Sequence, residues 1–263
     1  MRADKFFAEK FGSRTKASEA IEKGLVLVNG KEIKPNREIK DTDEITFVEP
    51  KVSFVSNGGY KLERAVSYFE YDCAGKIFAD VGASTGGFTD CLLQRGAKRV
   101  YAVDVGESLL HESLVDNPCV VAIENTNARY LTKEDFPEPL DGVVADLSFI
   151  SLKLILPVLR DIVAPDGDII VLVKPQFETE RSKLGKSGIL SPVEHVAVVK
   201  RILGYLSENG LYATGIVNAP VRKGKNIEYL LRLRLDKKGA KADEAILSEV
   251  KALVKRNTLG ELE

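Results

Sequence analysis

The sequence predicts an α/β protein in two parts: a mostly parallel sheet with helices on both faces and an antiparallel edge strand, preceded by a small α+β module. Three observations carry this prediction. Between residues 76 and 210 short apolar runs alternate with helical segments, the last two strand-like runs follow one another with no helix between them, and residues 1–50 form a basic stretch of short elements closed by a proline.

Within residues 1–50, "ADKFFAEKFG" has the spacing of a short amphipathic helix, and "TKASEAIEKG" that of a second one stopping at Gly24, a residue suited to a left-handed C-cap. "LVLVNGKEI" follows as a hairpin about Asn29-Gly30, the dipeptide that best tolerates the two positive φ angles of a tight hairpin turn. "DEITFVE" supplies another strand. Arg2, Lys5, Arg14, Lys16 and Lys23 make this module locally basic, although the whole chain has a formal net charge of -1. Solvated faces account for such residues as well as an RNA partner does.

"EPKVSFVSNGG" joins a proline, polar residues and a Gly-Gly pair, so residues 51–60 are expected to be a linker and residues 61–263 a second domain. That domain opens with "YKLERAVSYFEY", whose Leu62, Ala65, Val66 and Phe69 share one helical face. The strands expected next are "KIFADVGA", "RVYAVDVG", "VVAIEN", "DGVVADLS" and "GDIIVLVK", with helices such as "GFTDCLLQRG" and "SLKLILPVLRDIVA" between them. Strands this apolar belong in a parallel sheet covered on both faces. "GLYATGIVNAP" and "NIEYLLRLRLD" are expected to pair antiparallel at its edge, and the tail after Asp236 reads as an amphipathic helix.

Composition narrows the class. With 44% hydrophobic and 29% charged residues, the chain has the balance of a soluble globular protein. No apolar run reaches the roughly 18 residues of a membrane span, and "RADKFFAEKFGSR" after Met1 has no signal-peptide core, so a cytoplasmic location is expected. Cys73, Cys91 and Cys119 lack C-x-x-C spacing, and His111 and His195 are the only histidines, so neither a disulfide nor a metal site is expected.

In parallel sheets ligands sit at the carboxyl ends of strands, and the first strand of the second domain ends in "DVGASTGGFTD". A carboxylate just before the glycines would repel a pyrophosphate, whereas it suits a cationic amino-acid ligand. Asp104 ends the next strand roughly 20 residues past Gly82, the spacing of a carboxylate that accepts hydrogen bonds from ribose hydroxyls. S-adenosylmethionine satisfies both halves, and the expected cofactor set is Asp80, Gly82, Ser84, Thr85, Gly86, Gly87, Phe88, Asp104 and Asn127.

The same rim collects charges. "VVADLS" puts Asp146 at the end of the fourth strand and "VLVK" puts Lys174 at the end of the fifth. Lys61 stands at the start of a helix, where a cation opposes the helix dipole, and Glu228 interrupts an apolar strand. Taken singly, each also reads as a cap or a solvated strand end.

The tetrad Lys61, Asp146, Lys174 and Glu228, carried in "GGYKL", "ADLSFI", "LVKPQFE" and "NIEYLL", resembles that of the FtsJ-like RNA ribose 2'-O-methyltransferases, and the helix-helix-hairpin of residues 2–48 resembles the S4 RNA-binding domain. S4 followed by FtsJ-like resembles the TlyA family, whose members bear the label haemolysin but act as rRNA (cytidine-2'-O)-methyltransferases. This implies an S4 domain joined to a Rossmann-like S-adenosylmethionine-dependent methyltransferase, the four tetrad residues in catalysis, and Arg2, Lys5, Arg14, Lys16 and Lys23 against RNA. It also implies ribosomal RNA or ribosomal subunits as partner. Family members with short termini tend to be restricted to the large subunit, so 23S RNA is the expectation and 16S the other choice.

The chemistry matches the composition of the tetrad. A ribose hydroxyl needs a base in contact and a fixed line of approach to a sulfonium methyl, and Lys174 is the expected base or steering amine with Lys61 as second cation. Cations and burial favour loss of an ammonium proton while carboxylates oppose it, so sequence leaves that balance open. Arg181, Lys183 and Lys186 lie in a long loop after Lys174 that reads as a lid or a plain connection. A cytolysin, a non-catalytic RNA-binding assembly factor and a small-molecule methyltransferase remain as other classes; the first lacks a spanning segment, the second has no use for the tetrad, and the third none for the S4 segment.

Overall fold

The computed structural model describes residues 1–262 apart from residues 23, 49–52, 181, 183, 185–187 and 222–223. The chain divides into two compact units, Met1–Ser53 and Phe54–Glu263.

In the first unit, helices α1 (Ala3–Phe6), α2 (Ala8–Phe11) and α3 (Arg14–Glu22) accompany strands β1 (Val26–Val28), β2 (Lys31–Glu32) and β3 (Ile45–Phe47), paired in the order β2-β1-β3. The single helix expected over residues 3–12 is broken at Phe7, whose backbone lies at φ -91°, ψ 2°. Burial explains the break: Phe7 joins Ala3, Ala17, Ile21, Val26, Val28 and Ile39 in a small core. Asn29 and Gly30 adopt φ 54° and 72° and set Val28 opposite Lys31, which is the hairpin the sequence predicts.

The second unit holds α4 (Asn57–Tyr68), β4 (Ile77–Val81), α5 (Gly87–Gln94), β5 (Arg99–Val103), α6 (Glu112–Val115), β6 (Val120–Ile123), β7 (Leu140–Ala145), α7 (Leu152–Ile162), β8 (Val163–Val173), α8 (Pro192–Glu208), β9 (Tyr212–Asn218), β10 (Tyr229–Arg234) and α9 (Asp243–Thr258). Its sheet runs β6-β5-β4-β7-β8-β10-β9. The strands from β4 to β8 pair in parallel, whereas β10 runs antiparallel to both β8 and β9. The two final strands do pair with each other, and the reversed one, β10, is inserted second from the end with β9 outside it.

Period-2 burial splits the sheet's side chains between two cores. Ala79, Val81, Val171 and Val173 pack with Ile155, Leu159, Val198, Ile202 and Val250 of α7, α8 and α9. Phe78, Ile170 and Leu172 pack on the other face with Leu62, Val66, Phe88 and Leu92 of α4 and α5. Residues 54–60, expected within a linker, belong to this unit instead. Phe54 is 8% exposed and rests its ring on Tyr60 with centroids 5.0 Å apart, and the Val55 N–H donates to Asp90 at 2.8 Å. A Cβ on Gly59 would come within 2.2 Å of Phe54, so this glycine serves the close packing of Phe54 on α4.

Candidate active site

Chain order reverses at β4, whose neighbours are β5 on one side and β7 on the other, and such a switch opens a crevice at the carboxyl ends of the strands. The turn from β4 into α5 fills this position. Gly82 has φ 86°, and a Cβ there would lie 2.9 Å from the Asp146 carbonyl oxygen, so the residue is fixed by both conformation and contact. Ser84 takes φ 49° in the same turn. Asp104 steadies it: one carboxylate oxygen accepts from the Ser84 N–H at 2.8 Å and the other from the Gly106 N–H at 2.9 Å. A carboxylate has about four lone-pair directions, so these two bonds leave room for hydroxyl donors.

Two cavities adjoin this turn. One, of about 390 Å³, includes Gly82, Ser84, Asp104, Asn127, Asp146, Ser148 and Phe149 in its wall. The other, of about 240 Å³, is lined by Asp80, Gly82, Ser84, Thr85, Gly87, Phe88, Asp146, Ser148 and Lys174 among others. Gly86 stands behind them as the left-handed N-cap of α5, and the Asn127 side chain accepts from the Arg129 N–H at 3.1 Å.

Asp80 is fully buried. Its Oδ2 accepts from the Thr89 N–H at 2.9 Å and from the Thr89 hydroxyl at 2.7 Å, while Oδ1 has no partner. Burial pushes its carboxyl up to about 7; the Thr89 bonds oppose the rise, and the charges of Asp146 and Asp104 add to it. Its unpartnered oxygen, beside a cradle of small residues on the wall of the smaller cavity, is a position where a cationic ligand group could be held.

The four expected charged residues converge. Lys174, at the end of β8, places Nζ 2.6 Å from Asp146 Oδ1 and donates to Ser148 Oγ at 2.7 Å. Lys61, in α4, lies 2.8 Å from Glu228 Oε2 and 3.5 Å from Asp146 Oδ2. Side-chain exposures of 10% for Lys174, 16% for Lys61, 18% for Asp146 and 23% for Glu228 mark a partly desolvated cluster. Glu228 directly precedes β10, and Asp146 caps no helix, because Ser151 is the N-cap of α7. Lys61 and Glu228 also border a third cavity of about 290 Å³ with Gln176, Lys225 and Asn226. The tetrad thus stands between the cavity of the glycine turn and a separate one.

Three participants escaped sequence reasoning. Ser148 shares Lys174 with Asp146, and Thr89 holds Asp80. Glu178, 8% exposed, accepts from the Ser151 hydroxyl and the Leu152 N–H, both at 2.7 Å, and so ties the segment after Lys174 to the segment after Asp146. Burial raises its pKa, opposed by those two bonds and by the nearby Arg201. The position of Ser148 two residues past Asp146 was a usable signal; Glu178 offered none beyond its nearness to Lys174.

In the first unit, Arg14 and Arg2 both grip Asp4, at 2.7 Å and 3.2 Å, and the Arg14 hydrogen bond leads in holding the Asp4 carboxyl down to about 2. Lys5 and Lys16 are exposed. Lys23, Arg181, Lys183 and Lys186 lie outside the described residues. Among the described residues no helix is long and apolar enough to cross a membrane, and no group of three or more His, Cys, Asp or Glu could hold a metal.

The FtsJ-like methyltransferase family matches residues 54–235, and the S4 domain family matches residues 1–45. The 16S/23S rRNA (cytidine-2'-O)-methyltransferase TlyA of Mycobacterium tuberculosis is 42% identical over 84% of this chain and 84% of its own length. The 23S rRNA (cytidine-2'-O)-methyltransferase TlyA of Campylobacter jejuni is 33% identical over 72% of this chain and 81% of its own. A solved structure named as a hemolysin, from Streptococcus thermophilus, is 35% identical, covers 98% of each chain and superposes with a TM-score of 0.70. With an S4 domain ahead of its methyltransferase sheet and a Lys-Asp-Lys-Glu cluster at the switch point, the chain belongs to the TlyA family of FtsJ-like methyltransferases.

Proposed function

We propose that the chain is an S-adenosylmethionine-dependent 2'-O-methyltransferase acting on cytidine ribose in ribosomal RNA, in the cytoplasm. The observation that carries this reading is the contact of Lys174 with Asp146 and Ser148 at the wall of the glycine-turn cavity.

Asp80 would hold the cofactor's ammonium through its unpartnered oxygen, with Gly82, Ser84, Thr85, Gly87 and Phe88 around the amino-acid part. Asp104 would take the ribose hydroxyls, and Asn127 lies on the wall beyond it. Once bound, the cofactor supplies a methyl group already activated on a sulfonium. The protein's task is then to place and deprotonate a hydroxyl. At Lys174 one N–H donates to Ser148 and the ion pair with Asp146 takes a second side, so in the neutral amine the lone pair would be left for the ribose 2'-hydroxyl. Lys174 would steer that hydroxyl and take its proton onto the amine lone pair as the methyl carbon's bond to the 2'-oxygen forms and its bond to sulfur breaks. Lys61, locked between Glu228 and Asp146, supplies positive charge beside the hydroxyl oxygen, and Asp146 fixes both amines.

Both rRNA-modifying relatives have 23S RNA in their names, which favours the large subunit as substrate, free or assembled. The deciding experiment is transfer of tritiated methyl to rRNA from a strain lacking the gene, followed by mapping of the modified ribose. Absence of label in rRNA would end the reading. Dye release from liposomes, the assay for the hemolysin name, is expected to be nil.

A further inference from the structure

The basic residues of the first unit are its expected RNA contacts, yet its most unusual surface is aromatic. Phe6 is 45% exposed and Phe47 43%, and buried Phe7 stands between them. Its ring meets Phe6 at 5.0 Å and 84° and Phe47 at 5.7 Å and 85°, and Phe11 adds a contact to Phe47 at 6.2 Å. The arrangement follows from the helix break: α1 ends at Phe6 and α2 starts at Ala8, so Phe7 turns into the core while its neighbour stays out. These T-shaped contacts hold both rings in place while each stays more than two-fifths exposed. The Lys10 ammonium lies 4.0 Å from the Phe47 centroid, and Lys5 is exposed next to Phe6 in sequence.

We propose that Phe6 and Phe47 form a stacking platform for unpaired nucleobases of the RNA substrate, with Lys10 moving from the ring face to a flanking phosphate. The proposal rests on the rRNA reading and goes beyond it, since that reading needs only electrostatic contacts from this unit. Single-stranded loops are recognised by bases splayed onto aromatic side chains with cations tracking the backbone, and here both components are present. Exposed rings flanked by the exposed ammonium groups of Lys5 and Lys10 match a polyanion that carries flat unstacked faces, which single-stranded RNA supplies in one chain. The Lys10 ammonium occupies the π-face of Phe47 in the RNA-free protein, so a base stacks there only by displacing it, and a phosphate beside the ring offers the ammonium a stronger partner than the ring does.

The chain contains no tryptophan, so Phe47→Trp and Phe6→Trp each give the full-length protein a single tryptophan, which is excited selectively at wavelengths where the 8 tyrosines do not absorb. Titration with unmodified 23S rRNA, with binding followed in parallel by filter retention, should quench both tryptophans along the binding curve. Phe47→Leu should weaken binding by about 5- to 100-fold, the scale of losing one stacked base, with the salt dependence unchanged. Lys10→Gln should instead lower the salt slope by about one contact's share, roughly 0.7 to 0.9. Phe6→Leu guards against misfolding of the Phe47 variant, because Phe6 makes a ring contact only with Phe7 whereas Phe47 meets both Phe7 and Phe11, and thermal melts verify the fold of each. Parental affinity in both leucine variants, or RNA binding without quenching in both tryptophan variants, would overturn the platform and leave the rRNA reading standing. Failure of the parent protein itself to bind rRNA would remove that reading, and the platform with it.

Discussion

Replacing Asp80 with asparagine should flatten the pH dependence of cofactor binding. The parent carboxyl, raised to about 7 chiefly by burial, changes from nearly all ionised at about pH 8.5 to about 3% ionised at about pH 5.5. A cationic group that binds only the carboxylate should therefore lose about 30-fold in affinity over that interval, or about 2 kcal/mol. Stability of the ligand-free protein runs the other way. Between the unfolded carboxyl's ordinary range and about pH 7 the folded state holds the extra proton, so stability fully present at low pH is lost as pH rises to and through about 7, by about 2 kcal/mol across the same interval. The Asp80→Asn variant mimics the protonated form: its amide keeps an acceptor for Thr89 and cannot ionise. Calorimetric titration with S-adenosylmethionine from about pH 5.5 to 8.5 measures the first effect, and denaturant melts without ligand measure the second. The ratio of parent to variant cancels any titration of the cofactor's own amine. A parent affinity flat across this range, or a variant as pH-sensitive as the parent, would refute the assignment of Asp80 to the ammonium.

Three further outcomes follow from the contacts. Lys174→Met should slow single-turnover methylation at saturating RNA by about 10²-fold or more while cofactor and RNA still bind, and Lys174→Arg should not rescue it, since a guanidinium does not give up its proton and its planar fork fits differently; a parental rate would move the role to Lys61. Glu178→Gln keeps the volume but loses the charge-assisted bonds to Ser151 and Leu152, so it should lower the melting temperature and the methylation rate with cofactor affinity intact, and unchanged values of both would dissociate Glu178 from the site. Lys5→Glu with Lys16→Glu should weaken RNA binding and reduce its salt dependence by about 0.9 per lost phosphate contact, with cofactor affinity as the control; Arg14→Glu is a poorer probe, because it sets a second acid against Asp4 and unbalances the first unit.

What sequence made legible was whatever one residue's surroundings in the chain decide. The strands read correctly because short apolar runs bounded by polar residues have few other uses, and the Asn29-Gly30 turn because few dipeptides accept two positive φ angles. The insertion of β10 between β8 and β9 was not legible. Both final strands are equally apolar, and either could have lain outermost; the choice is made by pairing, Tyr229 opposite Val173 and Arg234 opposite Asp168, which leaves Arg232 and Arg234 to meet the Asp168 carboxylate. The helix break at Phe7 was hidden for a related reason. Local spacing favoured one continuous helix, and the core of the first unit won.

The site divides along the same line. Lys174 and Asp146 stood out because a charge ending an apolar strand must arrive at the sheet's rim, and Lys61 because a cation at a helix start is out of place. Their meeting at one rim was legible from strand order and from the family resemblance; the pairing in detail was not, since it depends on which oxygen faces which amine once α4, β7, β8 and β10 have assembled. Asp80 shows how far this reaches. Its place before the glycines announced a ligand without a pyrophosphate, and that inference needed only sign. Whether the carboxyl carries a charge at all depends on two quantities absent from any spacing rule: complete burial, which favours the neutral acid, and an oxygen left without a donor, which an incoming cation would satisfy. The same carboxyl therefore destabilises the empty fold when ionised and strengthens binding when occupied, so its effect on the protein reverses sign between the two states.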